Sequence, residues 1–391
     1  MKILYVITST QTGGAEKALA ALVTQTVKEH QVKVVSLKPL GPVAQELEKS
    51  GAEVVSLNMK GFIPFGIVKK LQAEILSFQP DIVHAMLFRG IELTRLACAG
   101  KGLKLVSTPH FDLSKKNFIL RFIDKLLKDL DTLTVAESFS TARYLVETQH
   151  YRKDKVFLLP NGADKTVFFR DDALRDKMRK QYGFTADNTV FISVARLAPV
   201  KDPVTLLQAF RNVWRGNSAA RLVYVGEGEE RPKLENFIRQ SGMEEAVLLA
   251  GEQRDINAWL NMADAFVLTS VEESLPIALL EALRVGLPCV VTNVGDMPLW
   301  VEHGKNGFVC KPRDVLLLSC FLTELLSREK REELQRGGVN VSQWIGDTSP
   351  QYQHLYQQIY LNSFHVKTYV RNLYGTTSVL GCMYYVCFCA G

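Results

Sequence analysis

The chain lacks any run approaching the roughly 18 consecutive apolar residues that a membrane-spanning helix needs. It has few cysteines: 7, an odd number, with no CxxC zinc pattern and no paired framework of the secreted kind. That usage suits a reducing compartment. No signal peptide is read at its start, because Lys2 is followed by only a short apolar run, Ile3 to Ile7, and then by polar residues and Gly13-Gly14. A cytoplasmic protein is therefore expected. No GxxxxGK[ST] sequence occurs, which disfavours a P-loop nucleotidase. The glycine pair at residues 13 and 14 lacks the third glycine of a dinucleotide fingerprint, which disfavours a nicotinamide dehydrogenase.

What is present fits a globular protein of two domains: 391 residues, 47% hydrophobic and 23% charged. The net charge of +6 is uneven, since residues 1–170 carry 24 Lys and Arg against 16 Asp and Glu. A basic amino-terminal half can favour an anionic partner, such as a phospholipid surface or a phosphorylated acceptor, or can simply solubilise helix faces. Nothing points to nucleic acid.

Short β-rich runs alternate with helical-period segments, the signature of parallel sheets covered by helices. Strands are expected at Ile3–Thr8, Val32–Ser36, Val54–Leu57, Ile82–His84, Lys104–Thr108, Thr132–Ala136 and Val156–Leu159. The rhythm restarts near residue 189 with Val190–Ala195, Leu222–Val225, Val247–Leu249, Ala265–Leu268, Cys289–Thr292 and Phe308–Val309. Two Rossmann-like domains, 1–165 and 166–348, account for this better than one very wide sheet. A helix over 349–362 is expected to brace the first domain, and 363–391 reads as an atypical tail.

Three segments carry candidate chemistry. Gly13-Gly14 before the first helix lets backbone amides approach an anion, although glycines often serve only to turn a strand into a helix. Arg196 and Lys201, on the loop after a strand, can grip one diphosphate together, as a planar fork and a point charge. In Glu273-Ser274-Leu275-Pro276-Ile277-Ala278-Leu279-Leu280-Glu281, Pro276 suits the first turn of a helix whose tip would aim amides at a diphosphate. Eight helical residues would set Glu273 and Glu281 about 12 Å apart. That is too wide for a glycosidase pair, and it suits a long ligand with hydroxyls beyond both ends of a diphosphate. The plainer readings are solvated charges and an acidic helix start.

Other features are ambiguous. Asp129-Leu130-Asp131 mimics a DxD metal motif but falls at a helix end. Lys115 to Leu130 forms a basic amphipathic pattern, which more often packs its apolar face on a sheet than lies on an anionic membrane.

The segment Glu273-x7-Glu281 resembles the signature of glycosyltransferase family 4. Other landmarks follow in the family's order: Gly13-Gly14-Ala15-Glu16, Pro80 to His84, Ser107 to His110, Pro160 to Asp164, Arg196 with Lys201, Gly226 to Glu229, Gly251, and Gly304 to Phe308. The resemblance implies a GT-B fold, with two facing Rossmann-like domains and a C-terminal crossover helix. It also implies a retaining, hexosyl-type transfer from a nucleotide-diphosphate-sugar to a glycan, lipid or polysaccharide-precursor acceptor, as in polysaccharide or lipopolysaccharide biosynthesis.

By resemblance, Arg196 and Lys201 neutralise the diphosphate, Glu281 holds the ribose, Glu273 and His110 meet the donor sugar, and Gly14, Ser274, Leu275 and Pro276 line the donor site. His84 and Asp112 are acceptor-side candidates. No metal or other cofactor is implied, and peripheral contact with the inner face of an anionic membrane is compatible with the family's lipid acceptors. Ser274 stands where the family usually has glycine, and Asp296 and Leu299 depart from its Gly-Gly-x-Pro-Glu pattern. A nucleotide-sugar 2-epimerase of the same fold, or a non-catalytic partner protein, are the competing readings.

Overall fold

The computed structural model describes residues 1–61, 65–110, 117–342 and 345–362. They form two compact units. One is Met1–Asn161 closed by the segment that starts at Thr348, and the other is Gly162–Asp347, so the chain passes between units after Asn161 rather than after Lys165.

The first unit holds a seven-stranded sheet of β1 (Lys2–Ile7), β2 (Gln31–Ser36), β3 (Glu53–Ser56), β4 (Ile82–Met86), β5 (Lys104–Thr108), β6 (Leu133–Ala136) and β7 (Val156–Leu158). Its spatial order is β3-β2-β1-β4-β5-β6-β7, with every pair parallel. The second unit repeats the plan with β8 (Thr189–Val194), β9 (Ala220–Val225), β10 (Val247–Leu249), β11 (Ala265–Leu268), β12 (Cys289–Thr292) and β13 (Gly307–Cys310), ordered β10-β9-β8-β11-β12-β13. Both units are Rossmann-like α/β folds, as expected. Helices cover both faces of each sheet, so central strands such as Ile3 to Ile7 are buried throughout and read as unbroken apolar runs.

In the first unit the helices Gly14–Thr26 and Ser349–Tyr360 share one core with Ile3, Tyr5 and Ile7, while Phe65–Phe78 and Phe88–Cys98 pack on Leu4 and Val6 opposite. The helix Ser349–Tyr360 inserts Tyr352, Leu355, Tyr356 and Ile359, each fully or nearly buried. At about 1.5–3 kcal/mol per large apolar side chain, this short helix is a principal stabiliser of that core. Strand order reverses between β1 and β4 and again between β8 and β11, and such switch points open ligand crevices at the strands' carboxyl ends.

The helix Phe118–Leu127 departs from expectation. Asn117 caps it by accepting from the Leu120 amide at 2.9 Å. Packing of its apolar face on the sheet was the favoured reading, yet Phe118, Ile119, Phe122 and Leu126 are 73%, 53%, 60% and 64% exposed. Asp124 faces inward instead. Arg95 explains the inversion: it donates to Asp124 at 2.7 Å and forks onto Asp131 at 2.9 and 2.6 Å, while the Tyr151 hydroxyl donates to Asp124 at 2.8 Å. A buried guanidinium demands those carboxylates, because an uncompensated charge there would cost several kcal/mol. Asp131, the last member of the apparent DxD, is thus committed to Arg95. Residues 363–391 lie outside the described residues.

Candidate donor site

The loops that follow β8 and β11 meet at the second unit's switch point. The β8 loop carries Arg196 and Lys201 and ends at Asp202, whose carboxylate accepts from the Thr205 amide and hydroxyl to cap the helix Pro203–Gly216. Asp202 does so in a left-handed conformation, φ 45°. Thr269 and Val271, just past β11, tie the two loops together: the Thr269 hydroxyl donates to the Asp202 carbonyl at 2.8 Å, and the Val271 amide to the Val200 carbonyl at 2.9 Å.

This frame brings together two residues 72 positions apart, Lys201 and Glu273, as a direct ion pair. The Ser270 hydroxyl donates to the same carboxylate at 2.9 Å. Both charged side chains are largely shielded, 22% and 11% exposed. Arg196 is exposed on the same loop, and Glu281 is buried.

One expectation needs correction. Pro276 is not inside the helix but its N-cap, extended at ψ 125°, and the helix runs Ile277–Val285 with no side-chain cap. Glu273 and Glu281 are therefore not joined by continuous helix, and the 12 Å helical spacing does not apply. The uncapped tip still directs its amides and positive dipole end outward. Leu275 is buried and Ser274 half-buried beside it.

Two glycine-bearing loops, whose roles were not evident from sequence, brace this frame from behind. Gly226 (φ 141°) presses so closely that a Cβ would stand 2.0 Å from the Ala195 carbonyl, beside Arg196. Gly295 (φ 55°) would place one 2.4 Å from the carbonyls of both Glu273 and Ser274, and the Asp296 amide donates to the Ser274 carbonyl at 2.8 Å. Asp296, a departure from the family pattern, is thus part of the clamp on the Glu273 segment.

The first unit is built differently. Gly13 caps the helix Gly14–Thr26 in extended conformation, and the Glu16 carboxylate accepts from Ser9 at 3.0 Å beneath it. His84 does not line a surface: it is wholly buried, bonded to the Tyr356 hydroxyl at 2.6 Å and the Thr108 hydroxyl at 2.8 Å. That corrects its candidacy for acceptor contact. Burial, with His110 nearby, pushes its pKa down to about 3. His110 follows β5 in a left-handed conformation, φ 52°; its Nε2 is enclosed without a hydrogen-bond partner among the described residues, and burial lowers its pKa to about 4. Asp112 lies outside the described residues. No group of His, Cys, Asp and Glu among the described residues is arranged to hold a metal.

Residues 12–167 match the family model for Glycosyltransferase Family 4, and residues 175–340 the model for Glycosyl transferases group 1. The chain is 30% identical to the N-acetyl-alpha-D-glucosaminyl L-malate synthase of Bacillus anthracis, over 61% of each chain. It is 27% identical to the Escherichia coli UDP-Gal:alpha-D-GlcNAc-diphosphoundecaprenol alpha-1,3-galactosyltransferase, over 60% of this chain and 63% of that one. The matched region spans about three-fifths of the length of these curated relatives. Among solved structures, Anabaena Alr3699/HepE in complex with UDP superposes with a TM-score of 0.78 at 22% identity, covering 93% of this chain and 100% of that one. That likeness establishes the GT-B fold.

Proposed function

We propose that this chain, which belongs to the family 4, group 1 glycosyltransferases, transfers a hexosyl-type sugar from a nucleotide-diphosphate-sugar to a glycan or lipid-linked acceptor. The observation that carries the reading is the Lys201–Glu273 pair held across the β8 and β11 loops, beside Arg196 and an uncapped helix tip. The Anabaena protein's complex with UDP and the galactosyltransferase's UDP-linked name support a nucleotide-sugar donor.

In this reading the bond between the sugar's anomeric carbon and the diphosphate oxygen breaks. A new bond forms from that carbon to an acceptor hydroxyl oxygen, and the nucleoside diphosphate leaves with the bonding electrons. Arg196 and Lys201 neutralise the growing charge, so their interaction strengthens toward the transition state, which is what lowers the barrier. Attack on the same face, with the leaving phosphate taking the hydroxyl proton, retains configuration and needs neither nucleophilic side chain nor metal.

Glu273 holds Lys201 in place and offers its remaining acceptor capacity to the sugar hydroxyls, while Glu281 serves the ribose. Gly14, Ser274, Leu275 and Pro276 line the donor, and His110, neutral at physiological pH, offers its Nε2 to the sugar. We place the protein in the cytoplasm, where nucleotide-sugars are available, with an acceptor of the polysaccharide or lipopolysaccharide-precursor class.

A screen of UDP-, GDP- and ADP-sugars by thermal shift, followed by anomeric NMR of the product, tests the reading. A rise in unfolding temperature with one nucleotide-sugar, abolished in R196A/K201A, supports it. No shift with any of them, or an inverted product, overturns the donor site or the retention respectively.

A further inference from the structure

The end of β11 is a junction. Just past Leu268 come Thr269 and Ser270, both buried, and each bonds to a different part of the donor frame. The Thr269 hydroxyl reaches the carbonyls of Lys201 and Asp202, at 3.2 and 2.8 Å, and so holds the main chain that carries the Lys201 side chain. One position on, the Ser270 hydroxyl donates to Oε1 of Glu273 at 2.9 Å. The Ser270 carbonyl in turn accepts from the Thr292 hydroxyl at 2.5 Å, at the end of β12.

From β12 the structure reaches Glu273 by a second route. Gly295 lies against the carbonyls of Glu273 and Ser274, and the Asp296 amide donates to the Ser274 carbonyl at 2.8 Å. The segment after β12 thus fixes both ends of the Glu273 side chain: its main chain through Gly295 and Asp296, and its carboxylate through Thr292 and Ser270. Lys201 cannot supply that direction. Its ammonium meets the same Oε1, but it is a point charge on a flexible stem with three rotatable donors, so it attracts a carboxylate without setting which way the group turns. It is also the cation that a diphosphate would draw upon. Ser270, wholly buried and tied to the neighbouring strand, commits its one hydroxyl proton to Glu273.

We infer that Ser270 is a positioning residue for the transfer. It sets the Glu273 carboxylate so that Oε2, which accepts from neither Lys201 nor Ser270, is presented to the hydroxyls of the donor sugar. The inference rests on the donor-site reading above, and adds to it the group that keeps Glu273 aligned while the diphosphate engages Lys201. A division of roles follows: Lys201 serves the diphosphate, and Ser270, acting through Glu273, serves the sugar alone.

Titration calorimetry on the full chain tests it, with UDP-glucose, GDP-mannose and ADP-glucose as probes, each beside its own nucleoside diphosphate. S270A should weaken binding of the nucleotide-sugar by about tenfold, as loss of one hydrogen bond to a charged group does, and leave that of the nucleoside diphosphate within about twofold. Retained diphosphate binding also shows that the variant is folded. A double-mutant cycle supplies the readout that a merely structural serine would not move: S270A/E273A should bind the nucleotide-sugar no more weakly than E273A, since the hydroxyl then has nothing to position. Unchanged sugar binding in S270A overturns the inference. So does an equal loss for nucleotide-sugar and nucleoside diphosphate, or a further loss when S270A is added to E273A. Wild type that binds none of the probes overturns the donor reading itself, whereas wild type that binds while S270A is unaffected overturns the role of Ser270 alone.

Discussion

The two units share a strand order and a switch point, yet they gather opposite kinds of side chain. In the second unit the β8 and β11 loops assemble charges, Arg196, Lys201 and Glu273, on a backbone braced by glycines. In the first, the elements around β4 and β5 assemble neutral hydrogen-bonding rings: His84 bonded to Tyr356 and Thr108, with Tyr5, Tyr352 and the left-handed His110 around it. Burial keeps both histidines uncharged and raises the Tyr5 and Tyr352 hydroxyls above their ordinary pKa. The same topology thus carries a charged cluster in one unit and a neutral, buried one in the other. The difference lies in which loops bring charge to the carboxyl ends of the strands.

The comparison can be broken most directly at Lys201. K201A should lower kcat/KM by about 10²–10³, equivalent to about 3–4 kcal/mol of transition-state stabilisation, with circular dichroism and unfolding temperature nearly unchanged. An equal loss of folding stability would make the pair structural and erase the contrast. At the neutral cluster the effect should be on stability instead. H84F strips partners from the buried Tyr356 and Thr108 hydroxyls and should cost about 2–3 kcal/mol in denaturant unfolding, with little change in nucleotide affinity.

Acid should sharpen the distinction further. His84 and His110 have folded pKa values depressed from 6.5 to about 3 and about 4, so the unfolded chain binds their protons first. Their contribution is complete above pH 6.5 and falls as pH drops from there toward 4 and 3, by up to about 1.4 kcal/mol per pH unit per histidine. Among the described residues the tryptophans, Trp214, Trp259 and Trp300, all belong to the second unit. Acid unfolding should therefore appear in amide exchange of the first unit before it appears in tryptophan emission, and the reverse order would contradict this account. The smallest expected effect is that of chelation. EDTA should leave transfer unchanged on the proposed reading, in which side-chain cations meet the diphosphate; a loss restored by added divalent metal would refute that reading.

Much of this architecture was legible beforehand. All 13 expected strands are present, because buried parallel strands read as unbroken β-branched runs, and Lys201 and Glu273 meet because they follow the ends of adjacent strands. What stayed hidden depends on contacts distant in sequence. The pattern of Phe118–Leu127 reveals an apolar face but not which way it turns, since that was decided by Arg95, 29 residues before Asp124. His84 read as a site candidate because its partner Tyr356 lies 272 positions away. The brace at Gly295 and Asp296 was obscured for a similar reason: carbonyls of another loop occupy the space a Cβ on Gly295 would need, and no local pattern announces such a contact.

The helix that carries Tyr356 has a consequence for how the protein is made. The second unit is one continuous stretch, Gly162–Asp347, whereas the first is interrupted by it and closed by a segment beginning at Thr348. During translation the first unit's sheet stays unsealed, with Tyr5 and His84 awaiting Tyr356, until the helix Ser349–Tyr360 has been made. The second unit can thus finish folding before the first is sealed.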